Sequence, residues 1–235
     1  MINIRSGDDL RGQVPGDYLV SVWPVHEGPP PPLSAAESAE LDRLSGYERI
    51  VLWFEHCWFC QAVLVRLLPE LAARDLTDRL WLVSSDRFLG PLDAATLASL
   101  TPSRVTTAQV DLAGRALRAL AAPTPEPLQA LVDEADPALP YLPAAVRRHL
   151  QDLPWTTDGL ALTARLVADA VARGARTLPE IFTEVWRTDP APWMGDSMLE
   201  PWLSGGRPEW LGGVQVGAGS PWRWDPQADR VSRTG

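Results

Sequence analysis

The stretch RIVLWFEHCWFCQAVLVRLLPEL, residues 49–71, decides how the chain is read. It opens with RIVLWF, a continuous apolar run of the length expected for a strand buried on both faces. From Gln61 the period changes. Val63, Leu64, Leu67, Leu68 and Leu71 fall three and four apart, as on a helix with one buried face. Pro69 is expected to kink or tighten that helix. Between the two patterns, residues 55–60 carry a Glu, a His and both cysteines of the chain. A buried strand running directly into a helix is the repeating unit of a parallel sheet.

Working outward, INIR (residues 2–5) alternates apolar and polar residues and meets a turn at SGDD. DYLVSVWPV (17–25) reads as a second strand, stopped by the proline-rich HEGPPPP. In SAAESAELDRL, Ser34 and Glu37 form a capping box that opens a helix. RLWLVSS (79–85) reads as a fourth strand. Beyond residue 100 the pattern is helical. TTAQVDLAGRALRALAA opens on a box of Thr106 and Gln109, and TLPEIFTEVWRT on a box of Thr177 and Glu180. EPLQALVDEA, LPAAVRRHLQDL and DGLALTARLVADAVARGA lie between them. In the Trp-, Gly- and Pro-rich tail, GGVQV and WRWD are expected to pair as a short hairpin. The fold class is therefore α/β: a mainly parallel, Rossmann-like sheet, a helical C-terminal half and a Trp-rich tail hairpin. The expected divisions are residues 1–100, 101–190 and 191–235.

The four strands end in chemistry. The first ends at Gly7, Asp8 and Asp9, the second at His26, Glu27 and Gly28. The third ends at Glu55, His56 and Cys57, the fourth at Ser85, Asp86 and Arg87. In a parallel sheet these ends share one edge, where ligands of open α/β folds bind. Solvated loops also make strand ends polar, but His beside Glu at two of the four ends is more specific. Glu55, Glu27 and His26 are the candidate acid–base groups. His56, Cys57 and Cys60 are the candidate metal ligands, because sulfur with imidazole favours zinc or iron. Asp8, Asp86 and Arg87 are candidates for holding a cofactor or substrate. Cys57 falls near a helix N-terminus, which favours a thiolate whether it serves as ligand, nucleophile or redox group.

Composition excludes several classes. The net charge is −9, which argues against a nucleic-acid backbone binder. All 21 Lys and Arg residues are Arg, so a Schiff-base lysine, lysine-anchored pyridoxal phosphate and a Walker P-loop are ruled out. SGDDLRG is too loose for a dinucleotide fingerprint, so NAD and FAD are not expected, and there is no nucleophile elbow. No signal peptide and no membrane span are read, and the expected setting is the cytoplasm. The chain has 11 Trp, read as core and lid packing. The pair Arg147 and Arg148 is expected on a solvated face, and His149 toward solvent or a neighbouring helix.

Two resemblances follow from these motifs. Over about twenty residues, strand, aromatic, C-x-x-C and a helix with proline before ELA resemble thioredoxin. The Gly-Pro between the cysteines is missing, and APTPEP follows a helix rather than preceding a strand. The likeness is read as convergent strand–turn–helix geometry. The second resemblance spans nearly the whole chain. Gly7-Asp8, Val22-Trp23, HEGP at 26–29, FEH at 54–56, RHL at 148–150, WMGD at 193–196, WLGGV at 210–214 and WRWD at 222–225 resemble, in order and spacing, the bacterial domain-of-unknown-function family eighteen thirty-five. The resemblance implies no activity. Its departures are more informative. Where that family reads F-E-H-D-x-x-D-Q, this chain reads FEHCWFCQ: Cys57 and Cys60 replace two aspartates, and Gln61 is kept. Pro24 and Val25 fill a gap that often holds an acid, and the segment between MGD and WLGGV is short. If the aspartates bind a hard metal, thiolates favour a softer one; if they are acid–base groups, the chemistry has changed.

Three functions stay open on these residues. The first is a zinc- or iron-dependent enzyme acting on a small-molecule substrate at the carboxyl edge of the sheet. The second is a thiol or disulfide enzyme using Cys57 and Cys60. The third is a non-enzymatic binding or regulatory protein that engages a partner through its helical half. The sequence sets no oligomeric state.

Overall fold

Strand-length apolar segments separated by capped helices assemble here in one order. A computed structural model describes residues 1–22, 28–192, 195–205, 210–216 and 219–234. The strands β1 (Ile2–Arg5), β2 (Asp17–Val20), β3 (Ile50–Glu55), β4 (Leu80–Ser85) and β5 (Ser103–Arg104) form a sheet of order β2-β1-β3-β4-β5. The first four are parallel and β5 is an antiparallel edge. The chain leaves β1 toward β2 on one side and returns to β3 on the other. The gap between the carboxyl ends of β1 and β3 is therefore the topological switch point, where such sheets open a ligand crevice.

All six residues of β3 are buried, as its unbroken apolar run requires. On one face, Val51 and Trp53 pack with Leu10, Val14, Val83, Leu89 and Leu97 in a single core cluster. The β1–β2 connection covers that face without a helix. It is pinned by Asn3, whose Nδ2 donates to the carbonyls of Pro15 and Asp17 while its Oδ1 accepts from Trp53 Nε1 at 2.9 Å. Gly16 closes this connection with φ of 103°, a conformation that favours glycine.

The helix α1 (Ala35–Asp42) carries the Ser34–Glu37 capping box. The helix α2 (Trp58–Ala72) packs on β3, is N-capped by Cys57, and is buried at nearly every position. It runs through Pro69 to Ala72, with Pro69 in its last turn. Two elements here lacked a sequence signal. The helix α3 (Ala94–Ser99), capped by Asp93, is too short to show a period, and so is the two-residue β5.

The C-terminal half is helical: α4 (Thr107–Ala121), α5 (Glu126–Glu134), α6 (Leu142–Leu150), α7 (Leu162–Ala172), α8 (Leu178–Thr188) and α9 (Asp196–Leu203). The boxes at Thr106–Gln109 and Thr177–Glu180 both form. The described residues divide into two compact units. One draws on Met1–Pro24, Pro31–Arg118 and Asp136–Leu142, the other on Val25–Pro30, Ala119–Ala135 and Pro143–Gly235, so the division falls inside α4. Among the described residues no helix is long and apolar enough to cross a membrane.

Two expectations about the second unit need correction. GGVQV and WRWD do not pair with each other. Gly212 and Gly213 are the turn between β6 (Trp210–Leu211) and β7 (Val214–Gln215), while β8 (Trp222–Asp225) pairs with β9 (Arg230–Arg233). A two-residue Gly-Gly link joins its immediate neighbours, which takes that segment out of reach of WRWD. Nor does Arg148 lie on a solvated face. It is 1 % exposed, its Nε and Nη2 hold both carboxylate oxygens of Asp189 at 2.7 and 2.8 Å, and Nη1 pairs with Asp152 at 3.0 Å. His149 is fully buried as well. Burial opposes the Arg148 charge, but the two carboxylates outweigh it and hold the guanidinium above its ordinary range. A run of Arg-Arg-His looks solvated until two acids, one from a distant segment, supply its counter-charges.

Arg148→Ala strands two buried carboxylates and is expected to destabilise the protein by about 3–5 kcal/mol, read from denaturant midpoints. Gly213→Ala would place a Cβ 2.4 Å from the carbonyl oxygen of Ala122, so we expect a loss of about 1–3 kcal/mol in the same measurement. Gly46→Ala, with nothing within 4 Å of its Cβ, is expected to stay within about 0.5 kcal/mol of the parent.

Candidate functional site

The carboxyl ends of β1 and β3 bring Arg5 and Glu55 together at the switch point. Both are almost fully buried, at 4 % and 3 % exposure. Arg5 Nη2 donates to Glu55 Oε2 at 3.2 Å. Its Nε and Nη2 also grip Asp9 in a fork at 2.6 and 2.7 Å, and Nη1 reaches the carbonyl of Trp53 at 3.3 Å. Burial works against the guanidinium charge, but Asp9, Glu55 and the Cys60 sulfur together hold it charged, above the ordinary arginine range.

The loop after β4 closes on the same carboxylate. The Leu89 N–H donates to Glu55 Oε2 at 2.6 Å. Gly90 lies so close to Asp9 that a Cβ there would come within 2.4 Å of Asp9 Oδ2. Glu55 Oε2 thus has two donors, and Oε1 is the oxygen that faces Cys57 Sγ, at 3.9 Å. Gln61 anchors the corner from α2, its Nε2 donating to the Glu55 carbonyl at 2.7 Å.

Cys57 and Cys60 come from the first turn of α2. Cys57 is the N-cap, and its Sγ accepts from the Cys60 N–H at 3.3 Å. Cys60 Sγ lies 3.1 Å from Ser6 Oγ. Both cysteines are free thiols and are buried, at 3 % and 2 % exposure. Burial pushes the Cys57 thiol well above its usual range. The neighbouring Cys60 and the Glu55 carboxylate push it the same way, and the Cys60 N–H only partly opposes them.

One carboxylate oxygen of Glu55 and the two sulfurs lie within 4.8 Å of one another. Among the described residues this is the one group of three or more His, Cys, Asp or Glu side chains close enough to hold a metal ion. A tetrahedral zinc with Zn–S near 2.3 Å and Zn–O near 2.0 Å needs donor separations of about 3.5–3.8 Å. The three atoms, within 4.8 Å of one another, are near that spacing. The second contacts of Glu55 are of the kind that orient a metal-binding carboxylate.

The other sequence candidates fall elsewhere. His56, the first residue beyond β3, is outside this group. The His56 ring packs against Phe88 with centroids 4.8 Å apart, and its Nδ1 is buried with no hydrogen-bond partner among the described residues. Asp8, Asp86 and Arg87 are exposed. His26 and Glu27 lie outside the described residues. Sequence reading passed over Arg5, Ser6 and the Leu89 N–H, and named Asp9 only as part of a strand end. An arginine closing an apolar strand, Arg5 in INIR, is the signal that could have found the first of these: a buried charge needs a buried partner.

Comparison with family models, with curated proteins and with solved structures finds no match to this chain.

Removal of the Arg5 head group should expose how far the site depends on it. In metal-free protein, Arg5→Ala leaves the Glu55 carboxylate without its counter-charge and is expected to destabilise by about 3–5 kcal/mol. Asp9→Asn removes a half-exposed partner and is expected to stay within about 1 kcal/mol. Equal effects of the two substitutions on the denaturation midpoint would contradict this division of roles.

Proposed function

We propose that the chain is a zinc enzyme acting on a small molecule at the carboxyl edge of its sheet, with Glu55, Cys57 and Cys60 as the protein ligands. The observation that carries the reading is the buried three-donor group, with its carboxylate already oriented by Arg5 and the Leu89 N–H. Two sulfurs and one oxygen suit zinc better than the hard cations, and iron is the second choice. Three protein donors leave one tetrahedral position for water or substrate, the pattern of catalytic rather than structural zinc. The position at the switch point supports a ligand crevice.

Charge also supports the reading. Without metal, Arg5 already supplies the counter-charge of Glu55. A divalent ion that enters as two thiol protons leave adds no net charge to the buried site. Thiol catalysis at Cys57 is the second reading and is less well supported. A reactive cysteine needs a depressed pKa and access, whereas Cys57 is buried and shifted upward.

Metal analysis of protein purified without an affinity tag tests the proposal. About one zinc per chain is expected, with occupancy falling well below half in Cys57→Ser, Cys60→Ser and Glu55→Gln. His56→Ala should keep the metal. Circular dichroism on each variant separates ligand loss from unfolding. The reading fails if no metal co-purifies and none binds when zinc is titrated into the reduced protein.

A further inference from the structure

The metal-free site is already complete as a piece of protein. Glu55 has its counter-charge in Arg5 and a backbone donor in Leu89. The Cys57 sulfur is satisfied by the Cys60 N–H, and the Cys60 sulfur by Ser6. Removing a metal therefore leaves no unpaired buried charge. Zinc sites that hold a fold together lack this property, because the protein collapses when the ion leaves.

The two sulfurs are also placed to join. Cys57 is the N-cap and Cys60 sits three residues on, in the first turn of the same helix. The 3.3 Å contact from the Cys60 N–H fixes the Cys57 sulfur directly over the residue that carries the second thiol. The two sulfurs lie within 4.8 Å of one another. The pair then has three forms: dithiol, metal-bound dithiolate and disulfide.

We propose that this pair makes the metal site redox-controlled: a low-molecular-weight disulfide oxidises Cys57 and Cys60 to an intramolecular disulfide and expels the metal, and reduction restores binding. This rests on the metal reading above. In the first step one cysteine sulfur attacks the small disulfide, forming a mixed disulfide and releasing one small thiolate. In the second, the other cysteine attacks the protein sulfur of that mixed disulfide. The Cys57–Cys60 bond forms and a second small thiolate leaves. The protein pair gives up two electrons and the small disulfide takes them. The two released thiolates pick up protons from solvent, and the ion loses two of its three protein donors. Burial of both sulfurs makes access of the oxidant the slow step.

The experiment uses the full chain and oxidised glutathione. Zinc uptake by the reduced protein is measured first. No uptake overturns the metal reading and this proposal with it; uptake followed by no oxidative release overturns this proposal alone. With zinc loaded, oxidised glutathione is added. Zinc release is followed with a chromogenic chelator, the covalent state by intact mass, and the fold by circular dichroism. We expect one zinc released per two protein thiols lost, a mass change of two hydrogens without a glutathione adduct, and an unchanged fold. Reductant plus zinc should restore full occupancy. A persistent glutathione adduct, a disulfide-linked dimer, disulfide formation with the metal retained, or release only on unfolding would each overturn it. Cys57→Ser and Cys60→Ser, each with one thiol left, serve as a second check that does not depend on metal affinity: the variant that keeps the attacking cysteine should stop at the glutathione adduct, and failure of both to trap an adduct would count against the two-step exchange.

Discussion

The ion pair between Arg5 and Glu55 is the constraint on which the rest of the site depends. It joins the ends of two neighbouring parallel strands, with both partners under 5 % exposed. Such a pair loses several kcal/mol of hydration per ion and is tolerated only when its remaining hydrogen bonds are made. Here they are. Asp9, the Trp53 carbonyl and the Leu89 N–H fill out the two head groups. Two loops are thereby fixed. The β1–β2 connection must return Asp9 to Arg5, and the loop after β4 must bring Leu89 to Glu55 and Gly90 against Asp9.

That arrangement turns a topological feature into a chemical one. The strand order β2-β1-β3-β4 puts the switch point between β1 and β3, the place where sheets of this kind bind ligands. Because Oε2 of Glu55 is held from two sides, its other oxygen is presented to the sulfurs at the start of α2. The helix that begins there contributes both thiols from a single turn. One corner of backbone, residues 55–60, thus carries all three candidate ligands, and the surrounding loops supply the groups that orient them.

Much of the fold was legible because its signals are local. The unbroken RIVLWF run, the three capping boxes and the change of period after Gln61 each report on a few neighbouring residues, and each corresponds to an element found. The candidate site was legible only where it is local too. Glu55, Cys57 and Cys60 are close in sequence and were named. Arg5 is fifty residues from Glu55, and no spacing rule links them. His56 was chosen as a ligand for its chemistry, but it follows the end of β3 and its ring packs against Phe88. Arg148 shows the same limit. Its partners Asp152 and Asp189 lie four and forty-one residues away, and only the packed helices reveal that three charges share one buried space.

The central claim is that two sulfurs and one carboxylate oxygen form a metal site at this switch point. X-ray absorption at the zinc edge, on protein loaded with one equivalent of zinc under reducing conditions, tests it most directly. The account predicts a four-coordinate shell with two sulfurs near 2.3 Å and two lighter donors near 2.0 Å, and one sulfur fewer in Cys60→Ser. A first shell with no sulfur, or one made of nitrogen and oxygen alone, would contradict it.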